Sequence, residues 1–213
     1  MAKKKLLTRL LVAVAVIGAL AFLLTWSART TGSIPYTIER ESLRNWTLAL
    51  NRVSGPNEPV LVLQPSADLS SGLFNQIFRR AMESMSAPKS LGIPLVLQSE
   101  IDRGGVKVKV ETLVAAAREA GLDSTPLQPR CLGRRRVSEP GSTRQLYFVL
   151  FDSPAFTRFR ERIGALLGPS FDPAAQSPVL FVAVAESTLG HWLPLRADPQ
   201  KDCVAPIEIG SKP

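Results

Sequence analysis

The hydrophobic and polar positions of this chain fall into three patterns. The first is one unbroken apolar run, Leu10 to Ala28 (LLVAVAVIGALAFLLTWSA). It carries no charge and is long enough to cross a bilayer as a helix. The second is helical spacing. Leu73, Phe74, Ile77, Phe78, Ala81, Met82 and Met85 share one face, and Asn75, Gln76, Arg79, Arg80 and Glu83 the other. This predicts an amphipathic helix over Leu69 to Met85, capped by Asp68 or Ser70. Leu43, Trp46, Leu50 and Val53 predict a shorter helix over Ser42 to Val53. Two more are expected: Glu111 to Ala120, stopped by Gly121, and one opened by Ser153-Pro154 that buries Phe156, Phe159, Ile163, Leu166 and Leu167.

The third pattern is short runs that are apolar on both faces. Pro59 to Leu63, Leu95 to Leu97 and Val179 to Val184 read as central strands. Val106, Val108 and Val110 alternate with Lys107 and Lys109 as in a half-exposed strand. Leu127 to Val137 and Arg144 to Phe151 flank a Pro140-Gly141 turn and predict a hairpin. The tail offers a short helix around His191-Trp192 and a last strand from Cys203 to Ile209.

Twice the order is strand, capped helix, proline-containing loop, strand. Read as two βαβ-like units, each with a right-handed crossover, this predicts an α+β fold. The expected core is one mixed sheet, ferredoxin-like in its order, with helices packed on it.

The flanks of the apolar run set the organisation. Lys3, Lys4, Lys5 and Arg9 precede it and only Arg29 follows closely. The excess of basic residues keeps the N-terminus in the cytoplasm and sends the rest across. Ala19-Leu20-Ala21 fits a signal-peptide cleavage site. The run nevertheless stays apolar to Trp26, an interfacial aromatic, and its length favours an uncleaved signal anchor. The expected organisation is a basic stub (1–9), a membrane helix (10–26), a tether (27–35) and one extracytoplasmic domain (36–213), periplasmic if the source is bacterial.

Charge changes this picture little. Four of the 26 basic residues precede the run, leaving 22 against 18 acidic ones, a net +4. That scattered excess excludes a nucleic-acid footprint. The two cysteines lack metal spacing and both fall outside the cytoplasm in this scheme. A disulfide between Cys131 and Cys203 is therefore expected, stabilising the fold by about 4 kcal/mol through the loop it closes.

Candidate chemistry is sparse. His191 is the sole histidine, so any Ser-His scheme rests on it together with Ser70, Ser71 or Ser153, and no nucleophile elbow supports one. Arg134, Arg135 and Arg136 with Arg144 could contact an anion or anionic lipid, although arginine runs are usually solvated faces. Glu39/Glu41, Glu100/Asp102 and Asp198/Asp202 read as hydrated surface pairs. With no phosphate loop, metal motif or dinucleotide fingerprint, no cofactor is expected. The expected function is a single-pass, membrane-anchored binding or assembly component of the cell envelope. Its partners would be the bilayer and an envelope protein. The alternative is a membrane-anchored hydrolase using Ser153 and His191 or a carboxylate site.

Overall fold

The computed structural model describes residues 17–19, 34–51, 55, 57–81, 83–89, 91–139, 142–185 and 192–210. Apart from a helical turn at 17–19, the expected membrane segment and its tether up to residue 33 lie outside these residues. Among the described residues no helix is long and apolar enough to cross a membrane. The chain divides after Pro35, and the unit from Tyr36 onward carries the fold.

That unit begins with β1 (Tyr36–Glu39), a 3-10 turn (Arg40–Leu43), β2 (Thr47–Leu50), β3 (Pro59–Gln64) and α1 (Ala67–Ala81). It continues through β4 (Met85–Ser86), β5 (Ile93–Leu97), α2 (Gln98–Gly104) and α3 (Val110–Glu119). The long hairpin of β6 (Gln128–Glu139) and β7 (Ser142–Asp152) leads to α4 (Pro154–Leu167) and β8 (Val179–Ala185). A one-turn helix, α5 (Pro199–Asp202), and β9 (Cys203–Gly210) complete it.

The strands form two sheets. One is mixed and six-stranded, in the order β1-β9-β6-β7-β8-β4, with β1 and β9 parallel. The other is antiparallel, in the order β2-β3-β5. The α+β class holds, but the paired βαβ units do not. β3 and β5 are antiparallel, as are β7 and β8. In each unit a further segment separates the helix from the next strand, one that holds β4 in the first unit and spans 168–178 in the second. At about 3.3 Å per residue such a segment easily spans a strand, so the partner starts at the opposite end and runs antiparallel. A single ferredoxin-like sheet is excluded because the two halves keep separate sheets.

Other expectations fail as well. In place of a helix over Ser42 to Val53, Arg40–Leu43 forms a turn and Thr47–Leu50 pairs with β3 in register Thr47↔Gln64 to Leu50↔Leu61. β3 is buried on both faces and needs a neighbour on each side, and that demand outweighs helical periodicity. Trp46 still reaches the core, edge-on to Phe151 at 5.5 Å. The Val106 to Val110 strand is absent. Gly105, at φ +66°, ends α2, and Val110 opens α3. The strands β3, β5, β8 and β9, the β6–β7 hairpin, α3 and α4 follow their sequence signals: Ser153 Oγ accepts from the Phe156 amide as the cap of α4, and Gly121 at φ +81° follows α3. α1 instead starts at Ala67, ahead of both expected caps, and Leu166 of α4 is exposed. Trp192 stands in an extended segment and not in a helix, and the short helices α2 and α5 are not among the expected elements.

The main core joins both sheets with α1, α3 and α4 through Leu61, Leu63, Leu73, Ile77, Leu113, Phe159 and Ile163, all under 2 % exposed. A smaller core lies on the other face of the six-stranded sheet, where Leu146, Phe148, Leu150, Val179 and Phe181 meet Leu195. The extended segment 192–197 covers it, pinned by Ser177 N–H donating to the Leu195 carbonyl at 2.9 Å. Cys131 and Cys203 border this core and form a disulfide, with 5.7 Å between Cα atoms.

Candidate functional site

The four candidate arginines do not converge. On β6, Arg134 and Arg136 stand opposite Tyr147 and Gln145 and share their face; Arg135 and Arg144 take the other, opposite Leu146 and Val137. Arg135 is committed to structure. Its Nε donates to Asp202 Oδ1 at 2.9 Å, its Nη2 to Asp202 Oδ2, and its Nη1 to the Arg196 carbonyl at 3.1 Å. Arg136 and Arg144 are engaged as well. Burial works against the Asp202 carboxylate. The hydrogen bonds from Arg135 and the Asp198 amide, and the charges of Arg135 and Lys201, outweigh it and hold the group below its ordinary value of 3.8. Arg134 lies beside Tyr147, which meets Gln145 at 2.7 Å and Glu83 at 3.4 Å. Burial, with Glu83 nearby, raises the phenol above its ordinary value and keeps it protonated.

The hydrolase candidates are no better assembled. Ser153 Oγ caps α4 and Ser71 Oγ donates back to the Ala67 carbonyl at 3.0 Å. Ser70 Oγ is buried within α1. His191 lies outside the described residues. The acidic pairs depart from the surface reading: Glu100 and Asp202 are buried, 4 % and 5 % exposed. Glu100 and Arg160 form a bidentate pair at 2.8 and 2.9 Å. The Leu97 amide and Gln176 Nε2 also donate to that carboxylate. Neither partner carries a signal in the sequence: Glu100 reaches back to the Leu97 amide from the third residue of α2, but Leu97 is not a capping residue, and Arg160 only interrupts an apolar helix face.

An open groove of about 590 Å³ lies at the start of α4. The end of β7 supplies Asp152, α4 supplies Thr157 and Arg158, β6 supplies Arg130, and Ser177, Pro178 and Pro199 close the far side. Thr157, Ser177, Pro178 and Ala197 also line an adjoining hollow of about 380 Å³, with Glu161, Gln176 and Arg196. The two make one continuous depression. Three of its prolines open α4, precede β8 and open α5, so each was legible as punctuation but not as a wall. Arg130 meets Asp152 at 3.2 Å, and Arg158 Nη2 donates to the Ala120 carbonyl at 2.9 Å. Gln176 is 5 % exposed; its amide nitrogen is fixed by Glu100, and its carbonyl oxygen has no hydrogen-bond partner among the described residues.

Anion capture by the helix end is weak here. Pro154 removes one N–H and Ser153 occupies that of Phe156, leaving little of the usual N-terminal donor set. Among the described residues no cluster of histidine, cysteine or carboxylate has the makings of a metal centre. No family model, curated protein or solved structure matches the chain.

Proposed function

We propose that this chain is a membrane-tethered binding or assembly component of the cell envelope, and that the groove at the start of α4 takes an extended polypeptide segment of its partner. The observation that carries the reading is the Gln176 side-chain carbonyl, a buried acceptor with no hydrogen-bond partner among the described residues, in the wall of the hollow that adjoins this groove. Leaving such an acceptor unsatisfied costs about 1–3 kcal/mol. A backbone N–H entering from the groove would satisfy it, and Arg130 and Arg158 suit a carboxylate on the same segment. The Cys131–Cys203 bridge supports a domain outside the cytoplasm, where disulfides persist. The apolar run and its basic flank support the tether.

The test is a photo-crosslinking residue placed at Thr157 in the full-length protein, followed by membrane fractionation. The expected result is a carbonate-resistant protein that forms a defined adduct with one envelope protein, and loss of that adduct in Arg158→Glu. An unchanged adduct in Arg158→Glu, or none from Thr157 in membranes, would overturn the groove as the binding surface.

A further inference from the structure

The two sheets have four outer edges, and three are closed. At β1 the Gln76 side chain imitates a neighbouring strand: the Thr37 amide donates to Gln76 Oε1 at 3.0 Å, and Gln76 Nε2 donates to the Thr37 carbonyl at 2.8 Å. β4 is only two residues long. β5 is buried throughout, and its Leu95 carbonyl accepts from Arg160 at 3.2 Å. Such devices suppress edge-to-edge association.

Among the described residues β2 has none of them. The Asn51 amide donates to the Val60 carbonyl at 3.2 Å, which fixes the alternation along this strand. Asn51, Ala49 and Thr47 direct their backbone polar groups to β3, and Leu48 and Leu50 direct theirs away from it. Among the described residues no group pairs with the outward amides and carbonyls of Leu48 and Leu50. Thr47-Leu48-Ala49-Leu50 holds no charge and no proline, and Leu50 is 52 % exposed. Beside it the exposed Leu91 and the buried Trp192 share a mainly polar hollow of about 190 Å³ with Ala49, Leu50, Gln64 and Lys89.

We propose that β2 pairs antiparallel with β2 of a second copy, about a two-fold axis through Ala49. The strand itself selects this occupant. Thr47 to Asn51 reads polar, Leu, Ala, Leu, polar in either direction. Centred on Ala49, Leu48 of each copy opposes Leu50 of the other, and the two residues exchange both backbone hydrogen bonds. Thr47 opposes Asn51, and no like charges meet. The three-stranded sheet becomes six-stranded across the dimer, and both open edges are consumed, so assembly closes at two copies. The contact is smaller than the roughly 800 Å² per partner of a standard interface. Its strength, though not its geometry, rests on the tethered reading above, because a shared membrane raises the effective concentration.

The test uses the full-length protein in its own membranes, with Ala49→Cys as the only unpaired thiol, since the two native cysteines are bonded to each other. On the axis, Ala49 faces its own image in a non-hydrogen-bonded pair. The Cα separation of about 4.5 Å expected there lies within reach of a disulfide. Mild oxidation is expected to give a covalent homodimer from Ala49→Cys and none from the exposed control Ser71→Cys. Adding Leu50→Lys at this exposed position puts a charge on the edge and is expected to abolish the dimer band at unchanged expression. A dimer formed equally by Ser71→Cys, a dimer that survives Leu50→Lys, or a cross-link to another protein would overturn the pairing. So would a monomeric Ala49→Cys that sediments with membranes. A homodimer found in the soluble fraction would overturn the anchor and uphold the pairing.

Discussion

Ile77 and Phe78 are neighbours on α1 and meet opposite surroundings. Ile77 is fully buried in the main core, whereas Phe78 is 50 % exposed and stacks on Phe74 at 6.1 Å between ring centres. The apolar stripe read from the sequence is thus too wide by the Phe78 position, and Met85 belongs to β4 and not to the helix. Periodicity assigns a face to within about a residue; how far the covering layer extends depends on the sheets beneath. An unpaired carboxylate in place of Ile77 costs several kcal/mol. Ile77→Asp is therefore expected to abolish the cooperative thermal transition. Phe78→Asp should keep it, with stability changed by less than about 1 kcal/mol. Equal melting behaviour of the two variants would refute this placement of α1. Gly133 shows a different residue-scale constraint: a Cβ there would run into the Phe148 ring, so the hairpin needs a glycine opposite that phenylalanine.

At the scale of elements, the strongly patterned segments were legible and their partners were not. β3, β5 and β8 announced themselves by continuous apolar runs, α4 by its Ser153-Pro154 start, and the β6–β7 hairpin by its turn. What a strand pairs with is decided by chain segments far away, such as 168–178, which carries no period of its own. β2 was hidden because Leu43, Trp46 and Leu50 are buried or apolar for unrelated reasons yet fall at helical spacing. Glu100 and Asp202 were hidden because a carboxylate near a turn looks the same whether or not an arginine reaches it from another element.

The α5–β9 connection makes this last point testable. Asp202 joins Arg135 of β6 to the Asp198 amide at 2.7 Å and so seats the start of β9. Its folded-state pKa lies below the ordinary 3.8, so its contribution is complete above that value and is lost as the pH falls through the folded value. Amide exchange of Val204, Ala205 and Ile207 is expected to accelerate on acidification below pH 3.8, while the disulfide holds Cys203 in place. Asp202→Asn should remove that acid dependence. An unchanged acid response in Asp202→Asn would assign it to another group.

For the whole molecule, one side chain reaches across both halves. Arg160 projects from α4, which packs with the six-stranded sheet, and Nη1 donates to the Leu95 carbonyl of β5 in the other sheet. Its remaining donors meet Glu100 of α2 and the carbonyls of Asp172 and Pro173, so all five N–H groups are used. The guanidinium also lies 4.3 Å from the centre of the Phe171 ring. At 1 % exposure the pair has lost its hydration, and such a pair is weak evidence for stability taken as a unit. Removing one partner is another matter, because the other is left as a buried bare charge. Arg160→Met is expected to destabilise the domain by about 3–5 kcal/mol. Adding Glu100→Leu should restore part of that loss, as the stranded carboxylate is gone, although the carbonyls of Leu95, Asp172 and Pro173 and the donors of the Leu97 amide and Gln176 Nε2 are then unpaired. Since the clasp joins both sheets, far-ultraviolet and tryptophan signals should fall together in one transition during denaturant unfolding of the parent. If the Arg160→Met variant matched the parent in midpoint, or the double variant were less stable than the single, the clasp would not hold the two sheets together.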